Sequence, residues 1–220
     1  LFNAGATARL GSIDNGTTVF DIEPEEVERK SSVSAAIASA EHRGKRVTLI
    51  DTPGSADFVG DTDAALRVCD SAILVVSAVD GVEVRTESLW NRAGALNLPR
   101  AIFINKLDRE RASFQRVLAE LQADIDSAVT PLTMPIGSEA NFRGVVDLLA
   151  NKAYIYDRDG SGKHTTEEIP CDLADRVAAM REQLVEEVAG ADEMLMEKYF
   201  EEGDLGPDDL RNGLASGIAA

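Results

Sequence analysis

Cysteine is nearly absent: Cys69 and Cys171 are the only two in 220 residues, with no Cys-x-x-Cys pair and no histidine at ligand spacing. That excludes a disulfide scaffold and a zinc cluster, and it fits a reducing, cytoplasmic compartment. Basic charge is also scarce, 22 Lys and Arg against 39 Asp and Glu for a net charge of −17. Nucleic-acid binders neutralise phosphates with a surplus of cations, so direct DNA binding is excluded. Long hydrophobic runs are missing as well. The longest stretch free of charges and turn residues, Ser71 to Val79, falls well short of the roughly 20 residues that a membrane-spanning helix needs. Leu1 to Arg9 carries no basic stretch followed by an apolar one and no initiating Met, so it reads as an interior cut and not as a targeting signal. No internal repeat or low-complexity tract occurs.

What is present is an ordinary globular composition, 44% apolar and 28% charged, enough for one large domain or two small ones. Three short apolar runs, Arg46 to Asp51, Ser71 to Ser77 and Ala101 to Asn105, predict strands buried on both faces. Helix-length segments separate them. Glu83 to Leu96 places Leu89, Ala93 and Leu96 on one face, and Phe114, Val117, Leu118, Leu121 and Ile125 mark a second helix. This is the βαβ rhythm of a parallel sheet. Ahead of it, Val33 to Glu41 is extended and His42-Arg-Gly-Lys45 is a hairpin turn, which predicts one antiparallel edge strand.

From Pro135 the rhythm stops. The net charge is −6 over residues 1–134 but −11 over the shorter 135–220. Lys152 to Tyr156 predicts a strand, Asp157 to Gly162 a turn and Glu167 to Pro170 the returning strand. Asp172 is then expected to cap a long amphipathic helix carrying Val177, Met180, Leu184, Val185 and Val188. The expected domains are a core over 1–134, an acidic α+β subdomain over 135–210, and a return to the core over 211–220.

Two motifs carry chemistry. Asp51-Thr52-Pro53-Gly54 closes an apolar strand, where α/β sheets bind ligands: a carboxylate there can hold a magnesium-bound water, and a flexible Gly can aim its N–H at a γ-phosphate. The same tetrapeptide also serves as a common turn. Asn105-Lys106-Leu107-Asp108 closes the third parallel strand. One carboxylate can accept both the N1–H and the exocyclic amine of guanine, a task for Asp108, while the Lys106 stem covers the ring and Asn105 ties neighbouring loops. Alternatively Asp108 caps a helix. Both motifs in this order, each at a strand end, favour the nucleotide reading. That reading expects the two turns side by side along one rim.

These motifs resemble the third and fourth guanine-nucleotide motifs of translational GTPases, and their surroundings resemble elongation factor G. The supporting residues are Asp57-Phe58, Val82 to Glu87, Pro135-Ile-Gly137, Phe142 to Asp147 and Lys152 to Tyr156. The segment from Pro135 resembles the insert in that family's G domain; release factor 3 and ribosomal-protection proteins share part of the pattern. The resemblance implies a P-loop GTPase fold of α/β class, with a mostly parallel sheet, an antiparallel edge strand and a small α+β insert. It also implies GTP or GDP with Mg²⁺ as cofactors and the ribosome as partner. By resemblance Asp51, Thr52, Pro53, Gly54, Ser55, Asn105, Lys106, Leu107 and Asp108 bind nucleotide, Ser32 and Asp51 serve the metal, and Gly54 and Ser55 serve hydrolysis.

Four departures accompany it. No G-x-x-x-x-G-K-[ST] loop occurs, since Arg46 and His164 follow the only two Gly-Lys pairs; the chain is expected to be truncated at both ends. Arg29-Lys-Ser-Ser32 replaces the family's Arg-Gly-Ile-Thr, keeping a hydroxyl. Ser55 stands where the family has the histidine that orients water, so hydrolysis is expected to slow by powers of ten unless another group substitutes. The last base-binding loop is missing, which weakens base affinity. A competing motif, Asp157-x-Asp159-x-Ser161-Gly162 with Glu168, has calcium-loop spacing, but strand-like flanks and Pro170 argue for a solvated hairpin. Four readings therefore stand: a translocating elongation factor, a GTP-binding regulatory module with little hydrolysis, a calcium-binding or structural α/β protein, and a GTPase of ribosomal-protection or release-factor type.

Overall fold

A computed structural model describes residues 1–158 and 161–219, with the side chains of residues 218 and 219 left out. The chain divides into two compact units, Leu1–Ala72 with Arg92–Leu98, and Ile73–Asn91 with Pro99–Ala220.

In the first unit a short helix α1 (Pro24–Arg29) precedes strands β1 (Ala36–His42) and β2 (Lys45–Asp51) and helix α2 (Val59–Leu66). β1 and β2 pair antiparallel from His42↔Lys45 to Ala36↔Asp51. The expected hairpin forms because Arg43 and Gly44 both take positive φ, 51° and 73°, the geometry that matches the twist of the flanking strands.

The second unit contains β3 (Ala72–Ser77), most of α3 (Val84–Ala95), β4 (Arg100–Asn105), α4 (Phe114–Glu120), β5 (Thr133–Ile136), β6 (Gly144–Asp147), β7 (Lys152–Tyr156), β8 (His164–Glu167), α5 (Ala174–Gly190), α6 (Glu193–Glu202) and α7 (Pro207–Ala219). β3 pairs with β4, and β5-β6-β7-β8 form an antiparallel meander. Residues 1–35 supply turns and one helix but no strand.

The expectation of strands buried on both faces is corrected. Leu74 and Val76 of β3 are buried, and Val76 packs with Val117 and Leu121, against which Ile102 and Ile104 lie. The opposite face stays open: Ile73, Val75 and Phe103 are 68%, 63% and 56% exposed. A continuous apolar run thus hides a one-sided strand, because hydrophobicity alone does not report how many layers cover it.

The main core lies between the meander and the helices after it, joining Met134, Ile136, Val146 and Ala153 to Val177, Leu184, Val185, Val188, Leu205 and Leu210. The amphipathic spacing of α5 holds. Its N-cap is Leu173, with no side-chain cap, and not the expected Asp172. The returning strand is His164–Glu167 and not Glu167–Pro170, since Pro170 offers no N–H to a ladder. Arg181 of α5 is largely enclosed and donates to the carbonyls of Leu148, Leu149 and Leu205 and to Asp204. Asp159, part of the calcium-loop spacing, lies outside the described residues. Among the described residues no cluster of three or more acidic, His or Cys side chains could hold a metal, and no helix is long and apolar enough to cross a membrane.

Leu184→Ala is expected to lower stability by about 2–5 kcal/mol in urea unfolding through an unfilled core cavity. Phe200→Ala, at a side chain that is 79% exposed, is expected to stay within about 0.5 kcal/mol of wild type.

Candidate functional site

In the first unit the segment before β1 is organised by one carboxylate. Glu26 of α1 is 1% exposed. Its Oε2 accepts the N–H groups of Ile22 and Glu23, both at 3.1 Å, and its Oε1 accepts those of Val33 at 2.9 Å and Ser34 at 3.2 Å. The segments before and after this six-residue helix have backbone donors with no ladder to join, and one buried carboxylate satisfies two on each side. These N–H groups, Val33 first, hold the Glu26 carboxyl below its ordinary value of 4.5. The closed loop carries Ser32, whose Oγ donates to Asp21 Oδ1 at 2.6 Å. Asp21 also accepts from Thr18 Oγ1 at 3.2 Å.

Asp51 ends β2. Its carboxyl is pushed above the ordinary value of 3.8, by partial burial first and then by the negative charge of Asp21, with Glu26 a smaller contributor; the Thr52 N–H opposes them. Asp21 and Glu26 thus add negative charge near Asp51, and Ser32 is tied to Asp21. Ser32 and Asp51 each offer hard oxygen, the chemistry that suits Mg²⁺ completed by water and phosphate oxygens. The protein alone does not build a closed cage there. Gly54 is exposed with open space around it. Ser55 is spent locally: its Oγ accepts the Asp57 N–H at 3.4 Å and donates to Asp57 Oδ2 at 3.3 Å, capping the short turn Ala56–Phe58. Asp61 of α2 accepts the Ala35 N–H at 2.9 Å, joining this turn region to the strand entry.

In the second unit the segment after β4 forms no helix until Phe114, whose N-cap is Ser113. Asp108 is therefore not a helix cap. It is exposed and makes no hydrogen bond among the described residues. Asn105 Oδ1 accepts the Lys106 N–H at 2.8 Å, and the Asn105 carbonyl accepts the Ala78 N–H at 2.8 Å. Lys106 takes a left-handed φ of 62°. The loop after β3 is fixed by α4: Arg116 donates to the carbonyls of Ala78 at 3.1 Å and Val79 at 2.7 Å, while Glu120 accepts the Val82 N–H at 3.1 Å. That N–H, with Arg116, holds the Glu120 carboxyl below its ordinary value.

The family model of the elongation factor Tu GTP-binding domain matches residues 1–209. The chain belongs to that family. It is also similar to a crystal structure of a protein from Thermus thermophilus, at 32% identity and a TM-score of 0.90, over 100% of this chain and 32% of that one. It spans about a third of that protein's length. The α/β class and guanine-nucleotide binding follow for a domain of this family.

Of the residues singled out from sequence, Ser32, Asp51, Thr52, Pro53, Gly54 and Ser55 lie in the first unit and Asn105, Lys106, Leu107 and Asp108 in the second. Sequence reasoning missed Asp21, Glu26, Arg116 and Glu120, which hold the loops around these motifs. Only the Glu-rich run after Asp21 offered a signal, and it resembles any solvated acidic helix.

Glu26→Gln places an amide N–H₂ among N–H donors and is expected to cost about 1–3 kcal/mol at neutral pH. The folded-state pKa of Glu26 lies below the unfolded value near 4.5, so its contribution is present above pH 4.5 and is lost as pH falls through the folded value. Urea unfolding from pH 7 to 3 is expected to show the two proteins converging on the acid side.

Proposed function

We propose that this chain is the guanine-nucleotide-binding part of an elongation-factor-G-like translational GTPase that works with the ribosome. The observation that carries the reading is the exposed, unpartnered Asp108 carboxylate in a non-helical loop at the end of β4. A carboxylate so placed accepts the N1–H and exocyclic amine of guanine together; adenine presents the opposite pattern and is refused. The Lys106 stem covers the ring, and Asn105 holds the strand end against the loop after β3. At the other motif the Gly54 N–H is free to meet a γ-phosphate oxygen, and the Ser32 hydroxyl leaves Asp21 when the loop is drawn toward nucleotide. Loss of the phosphate lets the loop return, an order change of the kind that switches GTPases. Ser32 and Asp51 would serve Mg²⁺, which when bound neutralises phosphate charge. The acidic insert over residues 135–210 and the cytoplasmic, ribosome-linked setting belong to the same proposal. Support comes from the two motifs in order, the family match and the chemistry of each turn.

A second reading, a GTP-binding module that hardly hydrolyses, is favoured by one observation: the Ser55 hydroxyl caps its own turn. A hydroxyl whose proton goes to Asp57 has less to offer an attacking water, and a serine cannot become cationic.

Asp108→Asn in the intact protein is expected to weaken GDP about 10- to 100-fold, the loss of charge-assisted hydrogen bonds, while binding of xanthosine diphosphate improves. Equilibrium titration with both nucleotides checks this, and unchanged GDP affinity would overturn the base-recognition assignment. In single-turnover assays with ribosomes, Ser55→His is expected to raise the GTP hydrolysis rate by roughly 10³-fold, the scale on which positioning residues act in phosphoryl transfer. A wild-type rate already far above the ribosome-free background would remove the low-hydrolysis reading.

A further inference from the structure

Asp108 points by means of its backbone, since among the described residues its side chain has no hydrogen-bond partner to aim it. That backbone is not self-supporting. Lys106 and Arg111, on either side of it, take left-handed φ of 62° and 67°, a region that is unfavourable for a non-glycine residue. Two internal turns help, Arg109 N–H to the Lys106 carbonyl at 3.1 Å and Ala112 N–H to the Arg109 carbonyl at 3.2 Å. A further restraint spans the loop and comes from one residue far along the chain. Glu139 donates its N–H to the Leu107 carbonyl at 2.9 Å, and its Oε1 accepts the Arg111 N–H at 2.6 Å. Asp108, Arg109 and Glu110 are therefore suspended between two hydrogen bonds made by a single residue.

Glu139 is itself held firmly. It has φ of 51° and opens the tight turn Glu139–Asn141. Gly137 before it has φ of 80°, and a Cβ there would overlap the Asn141 carbonyl, so the turn closes only with glycine at that place. The turn follows β5, whose Met134 and Ile136 are in the main core, and the Leu107 side chain packs against that same core. The clamp thus joins the loop that carries Asp108 to the best-packed part of the unit.

We propose that Glu139 is a positioning residue for guanine recognition: its backbone N–H and carboxylate together set the direction of Asp108. The proposal rests on the reading of Asp108 as the base-recognising carboxylate. In the absence of the carboxylate the Arg111 N–H loses its acceptor, the left-handed turn relaxes, and the two base contacts of Asp108 can no longer both be met. The contact to the exocyclic amine is then the one at stake, because a rotated carboxylate keeps at most one of the two donors.

The test uses Glu139→Ala and Glu139→Gln in the intact protein, with GDP and inosine diphosphate, which lacks the exocyclic amine. Glu139→Ala is expected to speed amide exchange at Arg111, and to weaken GDP about 10-fold, the scale of one lost charge-assisted hydrogen bond. It is also expected to leave inosine diphosphate nearly unchanged, so that the preference between the two nucleotides shrinks. Glu139→Gln keeps a carbonyl oxygen in reach of Arg111 and is expected to restore most of the preference. A general loss of stability would weaken both nucleotides alike and speed exchange throughout the unit. If wild type binds GDP and Glu139→Ala keeps both the preference and slow Arg111 exchange, the positioning role is wrong while base recognition stands. If wild type binds neither nucleotide, the base-recognition reading fails and the proposal falls with it, whatever the Arg111 amide shows.

Discussion

The constraint on which this structure depends is the supply of acceptors for backbone N–H groups in segments that belong to no ladder. An unpaired buried donor costs as much as a lost hydrogen bond, and the segments around both motifs are mostly turns. Carboxylates meet the need. Glu26 takes four backbone donors before β1, Glu120 takes Val82, Glu139 takes Arg111, and Asp147 takes Leu149 and Ala150. The net charge of −17 is therefore partly internal wiring: some of these acids fix loops instead of facing a partner.

This division explains what could be read from the sequence. Apolar periodicity reports burial, so α3, α4 and α5, the hairpin β1–β2 and strand β7 were legible. The motifs Asp51 to Gly54 and Asn105 to Asp108 could be singled out because the chemistry proposed for them needs particular residues next to one another in the chain. Glu139 was not, because its partners are 28 and 32 residues away and nothing in Ser-Glu-Ala-Asn distinguishes a clamp from a surface turn. The cap of α5 was misread: Asp172 is a good capping residue, but the chain enters the helix one residue later, at Leu173, which is partly buried against the main core. The open face of β3 and β4 was invisible too, since alternating and continuous apolar strands differ only in what lies above them.

The acids of the first unit show that charge alone does not decide a carboxylate's behaviour. Glu26 and Asp51 share neighbours and sign, yet one is held below its ordinary value and the other is pushed above it. The difference is the number of N–H dipoles aimed at each. Glu26 has four, and they more than offset its burial. Asp51 has the Thr52 N–H alone, set against partial burial and the charges of Asp21 and Glu26. The carboxylate with its donors already in place is a structural one, because nothing further can be gained by adding a ligand to it. The carboxylate left short of donors beside other negative charges is the one that a cation or a bound water stabilises most. Within one short stretch of chain the supply of backbone donors thus separates the acid that builds the loop from the acid left available for chemistry.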